Sequence, residues 1–140
     1  MGMKIKEIME KPLTVGPEAT KKELLALAKK HPDIPIIFVV DRNQKFLGDI
    51  HENDLFLMVM PNDMFDEIGV ELGFDIEKKY FAEKAKDLMR KHELSCGPDD
   101  ELMDVAKELA GEEVNEMPVI DKKGKVVGLV TEGMLLRNLE

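Results

Sequence analysis

The sequence predicts a mixed α/β (α+β) fold made of two similar β-α-β-β-α units. An internal repeat is the first observation, since Lys4-Ile5-Lys6-Glu7-Ile8-Met9 returns 80 positions later as Lys84-Ala85-Lys86-Asp87-Leu88-Met89. The second observation is a shared order of parts, because each copy continues with a Gly-Pro turn and then with an apolar run that ends in Asp. Each repeat of about 55–60 residues is marginal for a core of its own, so we expect the two units to pack on each other.

The repeats divide the 140-residue chain into repeat 1 at 1–60, an acidic insert at 61–81 and repeat 2 at 82–140. Five of the seven aromatic residues fall between 56 and 81. Two interpretations of the insert stay open: a linker helix packed on its own domain, or a subunit interface, where Met and aromatic side chains are enriched. Five apolar residues in and just before the insert can share one helical face: Met60, Met64, Phe65, Ile68 and Leu72.

The elements of repeat 1 follow from its apolar spacing and its breakers. The spacing of apolar residues in 5–9 predicts a short entry helix, which Pro12 ends. Residues 13–15 are predicted as a short strand, which a Gly-Pro turn closes. Thr20 and Glu23 have the spacing of a capping box, so the next helix is expected to begin there.

The second half of each repeat is predicted as two strands and a closing helix. The continuous apolar run at 36–40 favours a strand buried on both faces, and a polar turn leads into a second strand at 45–50. The closing helix of repeat 1 begins near His51. Repeat 2 replays this order with a helix faced by Leu102, Val105, Ala106 and Leu109, strands near 117–121 and 126–130, and a closing helix at 131–139.

Charge and composition narrow the classes of partner. The formal net charge is −9, with no basic stripe of the kind that nucleic-acid binders carry. No apolar run approaches the roughly 20 residues of a membrane helix, and an acidic membrane surface would repel the chain. Cys96 is the only cysteine, which excludes an intrachain disulfide and fits a reducing cytoplasm; a buried, inert thiol is expected there. The composition therefore favours a cytoplasmic protein that meets small ligands or other proteins.

Several segments of both repeats resemble the CBS domain family in order and spacing. The segments that carry the resemblance are the two entry segments, Thr14-Val15-Gly16-Pro17-Glu18-Ala19-Thr20, Val39-Val40-Asp41, Gly48-Asp49-Ile50-His51-Glu52-Asn53-Asp54-Leu55 and Gly128-Leu129-Val130-Thr131-Glu132-Gly133-Met134-Leu135. The resemblance covers nearly the whole chain. It implies a tandem pair, called a Bateman module, in which the two units pack around a pseudo-two-fold axis and leave two clefts.

The resemblance also implies a function. Members of the family commonly bind adenosine-containing ligands, namely AMP, ADP, ATP or S-adenosylmethionine, and regulate a partner protein rather than catalyse a reaction. Two modules frequently assemble as a homodimer. We therefore expect a stand-alone regulatory module that binds an adenosine-type ligand, requires no cofactor and signals in trans. The alternative is a ligand-independent interaction or dimerisation module whose clefts have degenerated.

The ligand signature of the family is Gly-h-h-(Ser/Thr)-x-x-Asp, where h is apolar, and this chain divides it between the repeats. In the family, the Ser/Thr caps the closing helix beside the ligand phosphate, and the Asp accepts hydrogen bonds from the ribose hydroxyls. Repeat 1 keeps Asp54 but has His51 at the Ser/Thr position, whereas repeat 2 keeps Thr131 but has Met134 at the Asp position. A nucleoside is therefore expected at Asp54, and a phosphate alone at Thr131.

Other residues are carried over from the family as walls of the two clefts. Thr14 and Val15 are expected to line the first cleft, and Ser95 with Cys96 the second. The apolar strands that contain Ile37 and Pro118 would sandwich an adenine, or would simply be core, as such runs usually are.

Two of the candidate residues have alternative interpretations. Asp54 is a ribose ligand or an acid stabilised at the start of a helix. His51 is a neutral residue that caps poorly, or a charged one that attracts phosphate and senses pH.

Catalysis and metal binding are not expected. The three histidines are far apart in sequence, and neither His-x₃-His nor Cys-x₂-Cys spacing occurs. The sequence also lacks a P-loop, a Gly-x-Gly-x-x-Gly segment and a Gly-x-Ser-x-Gly segment. The acidic residues of the insert lack the pattern of a calcium-binding loop, and a solvated helix face explains them better.

Overall fold

In the computed structural model, residues 2–58, 82–91 and 94–139 are described. The insert predicted at 61–81 lies outside these ranges, so both interpretations of it remain predictions. The chain forms two compact units, each assembled from separate stretches of sequence. Unit 1 comprises Met1–Leu13, Val40–Phe46 and His92–Glu140, and unit 2 comprises Thr14–Val39 and Leu47–Lys91.

Unit 2 holds the strands and helices of repeat 1. Its elements are β1 (Thr14–Val15), α1 (Lys21–Lys30), β2 (Ile36–Val40), β3 (Phe46–His51), α2 (Glu52–Met58) and α3 (Ala85–Leu88), with the hairpin end of β2 and β3 grouped with unit 1. The strands form one sheet in the order β1-β2-β3. β1 pairs with β2 in parallel, with Thr14 opposite Phe38. Every residue of β2 is buried, which confirms the prediction from its apolar run.

Helix α1 begins where its sequence predicts. The Thr20 hydroxyl accepts a hydrogen bond from the Glu23 N–H (3.3 Å) and donates one to the Glu23 carboxylate (3.2 Å). These bonds satisfy an amide at the helix start and hold the first turn. Leu24 of α1 is fully buried, so the apolar side of the helix faces the interior.

Unit 1 holds the matching elements of repeat 2. After a 3-10 turn at Ile5–Glu7, these are α4 (Leu102–Glu112), β4 (Glu116–Ile120), β5 (Val126–Thr131) and α5 (Glu132–Arg137). β4 and β5 pair antiparallel, with Pro118 opposite Leu129. The core of the unit is a cluster of buried side chains: Ile5, Cys96, Leu102, Val105, Leu109, Met117, Val119, Val130 and Leu135.

Two predicted elements are shorter in the structure than the sequence suggests. The entry helix expected at 5–9 is only a three-residue 3-10 turn. The first strand expected in repeat 2 is a single parallel bridge between Cys96 and Val119. The pairing consists of two backbone bonds at that residue, from the Cys96 N–H to the Pro118 carbonyl (3.1 Å) and from the Ile120 N–H to the Cys96 carbonyl (2.7 Å). The mixed α/β class and the repeated order of elements are confirmed.

Each unit takes its entry segment from the other repeat. In unit 1 the Ile5 N–H donates to the Asp100 carbonyl (2.9 Å) and the Lys6 N–H to the Pro98 carbonyl (2.9 Å). In unit 2 the Ala85 N–H makes the matching bond to the Ala19 carbonyl (2.9 Å). The exchange matters for the site described next, because it places the end of the second entry segment, at Arg90, beside the strands of repeat 1.

Candidate functional site

Two buried carboxylates mark the candidate site in unit 2. Asp49 is 1% exposed and Asp54 is fully buried, and they are the buried charged side chains of the described ranges. β3 carries Asp49 in its interior, and the first turn of α2 carries Asp54. Burial of a carboxylate is unfavourable unless the charge is paired and hydrogen-bonded, so the partners of these two groups define the site.

Both carboxylate oxygens of Asp54 accept hydrogen bonds. Oδ2 accepts from the His51 backbone N–H (3.1 Å) and from Arg90 Nε (3.1 Å), and Oδ1 accepts from Arg90 Nη2 (2.8 Å). The Arg90 guanidinium therefore binds Asp54 in the bidentate geometry that is common in strong arginine–carboxylate pairs. The hydrogen bonds from Arg90 to Asp54 raise the pKa of the guanidinium, so the arginine keeps its positive charge at any physiological pH.

Asp49 lies beside the same arginine. The Asp49 N–H donates to the Arg90 carbonyl (2.9 Å), and the Arg90 N–H donates to the Asp49 carbonyl (2.8 Å). These two bonds fix the backbone from which the arginine side chain extends. The Asp49 carboxylate lies 3.1 Å from His51 Nε2, so the histidine completes a cluster of two acids and two basic side chains.

Gly48 allows this close approach of β3 to the second entry segment. A Cβ at this position would lie 2.6 Å from the Arg90 carbonyl oxygen. A backbone atom cannot shift cheaply, so any larger residue would push Arg90 away from Asp49.

The structure brings together some of the residues predicted for the first cleft. His51 and Asp54 are in direct contact at the junction of β3 and α2. Thr14 and Val15 are half-buried on β1, and Ile37 is buried on the neighbouring strand β2. A cavity beside Ile37 has a volume of about 30 Å³, which is room for roughly one water molecule and not for a nucleoside. The roles of these five residues as ligand contacts remain predictions.

The residues predicted for the second cleft lie in unit 1. Thr131 precedes α5, and its Oγ1 accepts a hydrogen bond from the Met134 N–H (3.2 Å). Pro118 is buried in β4, and its carbonyl accepts a bond from the Cys96 N–H (3.1 Å). Ser95 is half-buried next to that bridge. The structure therefore joins the Ser95 segment to Pro118 through backbone pairing.

The divided signature corresponds to a divided capping box. In a complete box, a Ser/Thr side chain accepts from an N–H three residues later, and an acid at that later position accepts from the first residue's N–H. Repeat 1 makes the second bond, from the His51 N–H to Asp54, and repeat 2 makes the first, through Thr131. Asp54 therefore holds the start of its helix as well as binding Arg90, so both interpretations of this residue retain structural support.

Asp49 and Arg90 are the site residues that were missed from the sequence. Comparing positions 80 residues apart would have revealed them. Asp49 corresponds to Leu129 inside a strand, and Arg90 corresponds to Glu10 at the end of the entry segment. An acid where the matching strand carries an apolar residue indicates a buried charge, and a buried charge calls for a partner of opposite sign.

A larger cavity lies elsewhere, in unit 1. Its volume is about 220 Å³, and its lining is Gly2, Met3, Glu101, Leu102, Met103, Asn138 and Leu139. None of the residues predicted from the ligand signature lines this cavity. Large apolar side chains around it are exposed, including Met103 at 52%. The cavity therefore bears on association with other molecules more than on the predicted clefts.

Cys96 is buried, as its apolar surroundings predict. Burial raises the pKa of the Cys96 thiol to about 12. The thiol is therefore protonated at neutral pH, which removes the thiolate that nucleophilic and redox chemistry require. Within residues 2–58, 82–91 and 94–139, no group of three or more His, Cys, Asp or Glu side chains is placed to hold a metal ion. No helix in these ranges has the length and apolar character needed to cross a bilayer.

Comparison with known proteins identifies the same repeats. The sequence model of the CBS domain matches residues 5–60 and 85–140. The chain is 26% identical to the uncharacterized protein MJ1426 of Methanocaldococcus jannaschii, over 98% of this chain and 91% of that protein. It is 32% identical to inosine-5'-monophosphate dehydrogenase of Bifidobacterium longum over 86% of this chain, but it spans only 19% of that enzyme. The solved structure of CBSX2 in complex with AMP superposes with a TM-score of 0.73, at 22% identity, over 97% of this chain and 95% of CBSX2.

Proposed function

The chain belongs to the CBS domain family as a tandem pair, and on that premise we propose that it is a regulatory module that binds an adenosine-type ligand in unit 2. The observation that carries the proposal is Asp54, a buried carboxylate in the first turn of α2 at the signature position of the family. The complex of the similar protein CBSX2 with AMP supports the ligand class. In this proposal the module is cytoplasmic and signals in trans to a separate protein.

Asp54 has the chemistry that a ribose requires. Its two oxygens can accept hydrogen bonds from two neighbouring hydroxyls, and bonds to a charged acceptor contribute about 1.5 to 3 kcal/mol each. Met134 at the matching position of unit 1 has only a weak thioether acceptor. The proposal therefore assigns one nucleoside site, in unit 2, with Thr14, Val15, Ile37 and His51 as further contacts.

Calorimetric titration with AMP, ADP, ATP and S-adenosylmethionine tests the proposal directly. A ligand that binds only the folded state raises the free energy of unfolding by about 2.7 kcal/mol at a hundred times its Kd. We expect at least one of the four ligands to release or absorb heat on binding and to raise the melting temperature. If all four leave heat and melting temperature unchanged at millimolar concentration, the module does not bind adenosine-type ligands.

Asp54→Asn locates the site. The variant keeps the size of the side chain but removes the charge, so we expect affinity to fall about tenfold or more while the far-ultraviolet circular dichroism stays that of the wild type. Asp104→Asn is the matched control, because Asp104 is an exposed acid in the first turn of α4 in unit 1. Equal affinity of the two variants would place the nucleoside somewhere other than Asp54.

A second candidate function, ligand-independent association as a homodimer or with a partner protein, is favoured by the apolar surface of unit 1. Met3 (38% exposed), Met103 (52%) and Leu139 (45%) line the 220 Å³ cavity, and Leu136 on α5 is 68% exposed. Exposed clusters of large apolar side chains often mark protein–protein contacts. In this candidate the chain associates without any nucleotide.

Analytical ultracentrifugation of the wild type and the Met103→Glu variant tests whether the chain associates through this apolar surface. If unit 1 associates through its apolar surface, the buried charge will shift the chain toward the monomer. Lys123→Glu makes a charge change at an exposed residue that does not line the cavity, and it should leave the association unchanged. The wild type should also have a melting temperature indifferent to nucleotides if association is its only function. A wild-type chain that sediments as a monomer at all concentrations rules out homodimerisation.

A further inference from the structure

Asp54 is already occupied in this structure. Its carboxylate accepts two bonds from Arg90 and one from the His51 N–H, and it has no exposed surface. A carboxylate offers about four acceptor positions. A ribose diol needs one acceptor position on each oxygen and a path to reach them, so a nucleoside engages Asp54 fully only after the arginine side chain moves aside.

The structure allows that movement while the backbone stays in place. The Arg90 backbone is held to Asp49 by two hydrogen bonds of 2.8 and 2.9 Å. The Arg90 side chain is 47% exposed, so its guanidinium can rotate toward solvent. The backbone of Arg90 is therefore fixed, and its guanidinium can move away from Asp54. We call this reversible pairing of the Arg90 side chain with Asp54 the latch.

Opening the latch is unfavourable unless the guanidinium finds another anion. Arg90 interacts with both Asp54 and Asp49, the two buried acids of unit 2. Ribose hydroxyls replace only part of a charge-assisted bond, because a neutral donor makes a weaker bond to a carboxylate than a guanidinium does. A phosphate group on the ligand provides a second partner for Arg90, in the bidentate geometry that arginine and phosphate share.

We infer that Arg90 selects for phosphorylated ligands by closing Asp54 against neutral nucleosides. A nucleotide exchanges its phosphate for Asp54 as the partner of Arg90, and the freed carboxylate then takes the ribose hydroxyls. This inference rests on the proposed function and names the ligand class within it. It assigns Arg90, which repeat 2 contributes to the site of repeat 1, as the specificity-determining residue.

AMP and adenosine test the inference, because they differ only in the phosphate. We expect calorimetry on the full chain to give at least about tenfold tighter binding of AMP than of adenosine. Arg90→Gln removes the latch and the phosphate partner together. In that variant, adenosine should bind about tenfold more tightly than to the wild type, and the preference for AMP should disappear.

Two further variants separate the effect of the Arg90 guanidinium from the effect of a positive charge in this segment. Arg90→Lys retains the charge without the planar fork, so it should weaken the latch and keep part of the preference for AMP. Lys91→Gln removes one positive charge from the next, exposed residue and should change neither affinity. The Nε–Hε signal of Arg90 in a proton–nitrogen NMR spectrum reports the latch without ligand: it should be protected from exchange in the wild type and should move when AMP is added.

The outcomes separate the two proposals. If Arg90→Gln leaves both affinities unchanged, or weakens AMP while adenosine stays as it is in the wild type, the latch does not exist and the adenosine-type site stands. If neither wild type nor variant binds either molecule, the proposed function fails and the latch fails with it. A wild type that binds neither and an Arg90→Gln variant that binds adenosine would mean that Arg90 closes Asp54 against AMP as well, which overturns selection by the phosphate.

Discussion

In both units the end of an entry segment pairs with a strand through the same backbone bonds, but the side chains at this junction are charged in unit 2 and mostly apolar in unit 1. In unit 2, Arg90 and Asp49 exchange backbone bonds of 2.8 and 2.9 Å; in unit 1, Glu10 and Leu129 exchange bonds of 3.0 and 2.9 Å. The side chains on this shared frame differ at every step. Unit 2 buries two acids beside an arginine, whereas unit 1 buries leucine and methionine at the matching positions and leaves Glu10 exposed.

From this comparison we predict that the fold of unit 2 does not need its charges. Unit 1 forms its junction with apolar side chains, and apolar replacements of buried ion pairs are often neutral or stabilising in other proteins. A charged cluster that the fold does not require is better explained by binding. The charged cluster of unit 2 therefore supports the proposed ligand site, and variants that give unit 2 the residues of unit 1 test this conclusion.

The largest effect is expected from Arg90→Glu, which gives unit 2 the entry residue of unit 1 but keeps its buried acids. The change removes the partner of Asp54 and adds a third acid, so we expect the free energy of unfolding to fall by about 3 kcal/mol or more. Urea denaturation followed by circular dichroism measures the loss.

The triple variant Asp49→Leu, Asp54→Met, Arg90→Glu also replaces the two buried acids by the residues of unit 1 and is the control for that loss. Its apolar residues match those of unit 1, so we expect stability within about 1 kcal/mol of the wild type. A triple variant as unstable as Arg90→Glu alone would mean that unit 2 needs its charges for folding, and the argument for a binding role would be lost.

A second contrast compares the glycines of the two junctions. A Cβ at Gly48 would lie 2.6 Å from the Arg90 carbonyl oxygen, whereas one at Gly128 would meet the Met9 side chain, with its Sδ at 2.5 Å. A methionine side chain can change rotamer, whereas the Arg90 carbonyl is held in place by the backbone bonds between Arg90 and Asp49. We therefore expect Gly48→Ala to destabilise by about 2 to 3 kcal/mol and Gly128→Ala by about 1 kcal/mol. Equal losses in thermal unfolding would contradict the difference between a backbone and a side-chain neighbour.

The sequence predicts the frame of both units but only part of the site. Periodicity, proline and capping residues locate the strands and helices, because these are local properties that act within a few residues. Thr20 capping α1 is an example, and the fully buried β2 is another. The ligand signature directs attention to His51 and Asp54 for the same reason, since they are three residues apart.

The rest of the site depends on distant contacts. Arg90 lies 36 residues from Asp54 in sequence, and only the exchange of entry segments brings them together. No local pattern at Arg90 indicates this partner. The short entry turn and the single bridge at Cys96 were also not predictable from spacing, because tertiary pairing and not helical propensity decides how far those segments extend.

A third contrast concerns the two halves of the capping box. Thr131→Ala removes the hydroxyl that accepts from the Met134 N–H, so we expect a loss of about 1 kcal/mol in unfolding free energy. Thr131→Ser retains the hydroxyl and should restore most of that stability. If alanine and serine at this position are equally stable, the hydroxyl contributes nothing as a cap, and Thr131 is explained better as a ligand contact.

The smallest effect is expected at the Gly-Pro turns, where each unit pairs an acid with lysines of its entry segment. Glu18 in unit 2 contacts Lys84 (2.6 Å) and Lys86 (2.9 Å), and hydrogen bonds from Lys84 and Lys86 lower the pKa of Glu18 to about 2. The Asp99 carboxylate in unit 1 lies 3.0 Å from Lys6 Nζ, and the hydrogen bond from Lys6 lowers the pKa of Asp99.

Because the folded pKa of Glu18 lies below its ordinary value of 4.5, the pairing stabilises the fold above that pH and is lost as the pH falls toward 2. All of these groups are exposed, so the effect on stability is small and salt weakens it. Carboxyl NMR titration should give a midpoint near 2 for Glu18. In the double variant Lys84→Met, Lys86→Met, this midpoint should move toward 4.5. Asp99 should keep its midpoint in that variant, because its lysine belongs to the other entry segment. A Glu18 midpoint that does not move would show that the two lysines do not set it, and the parallel between the turns of the two units would then fail.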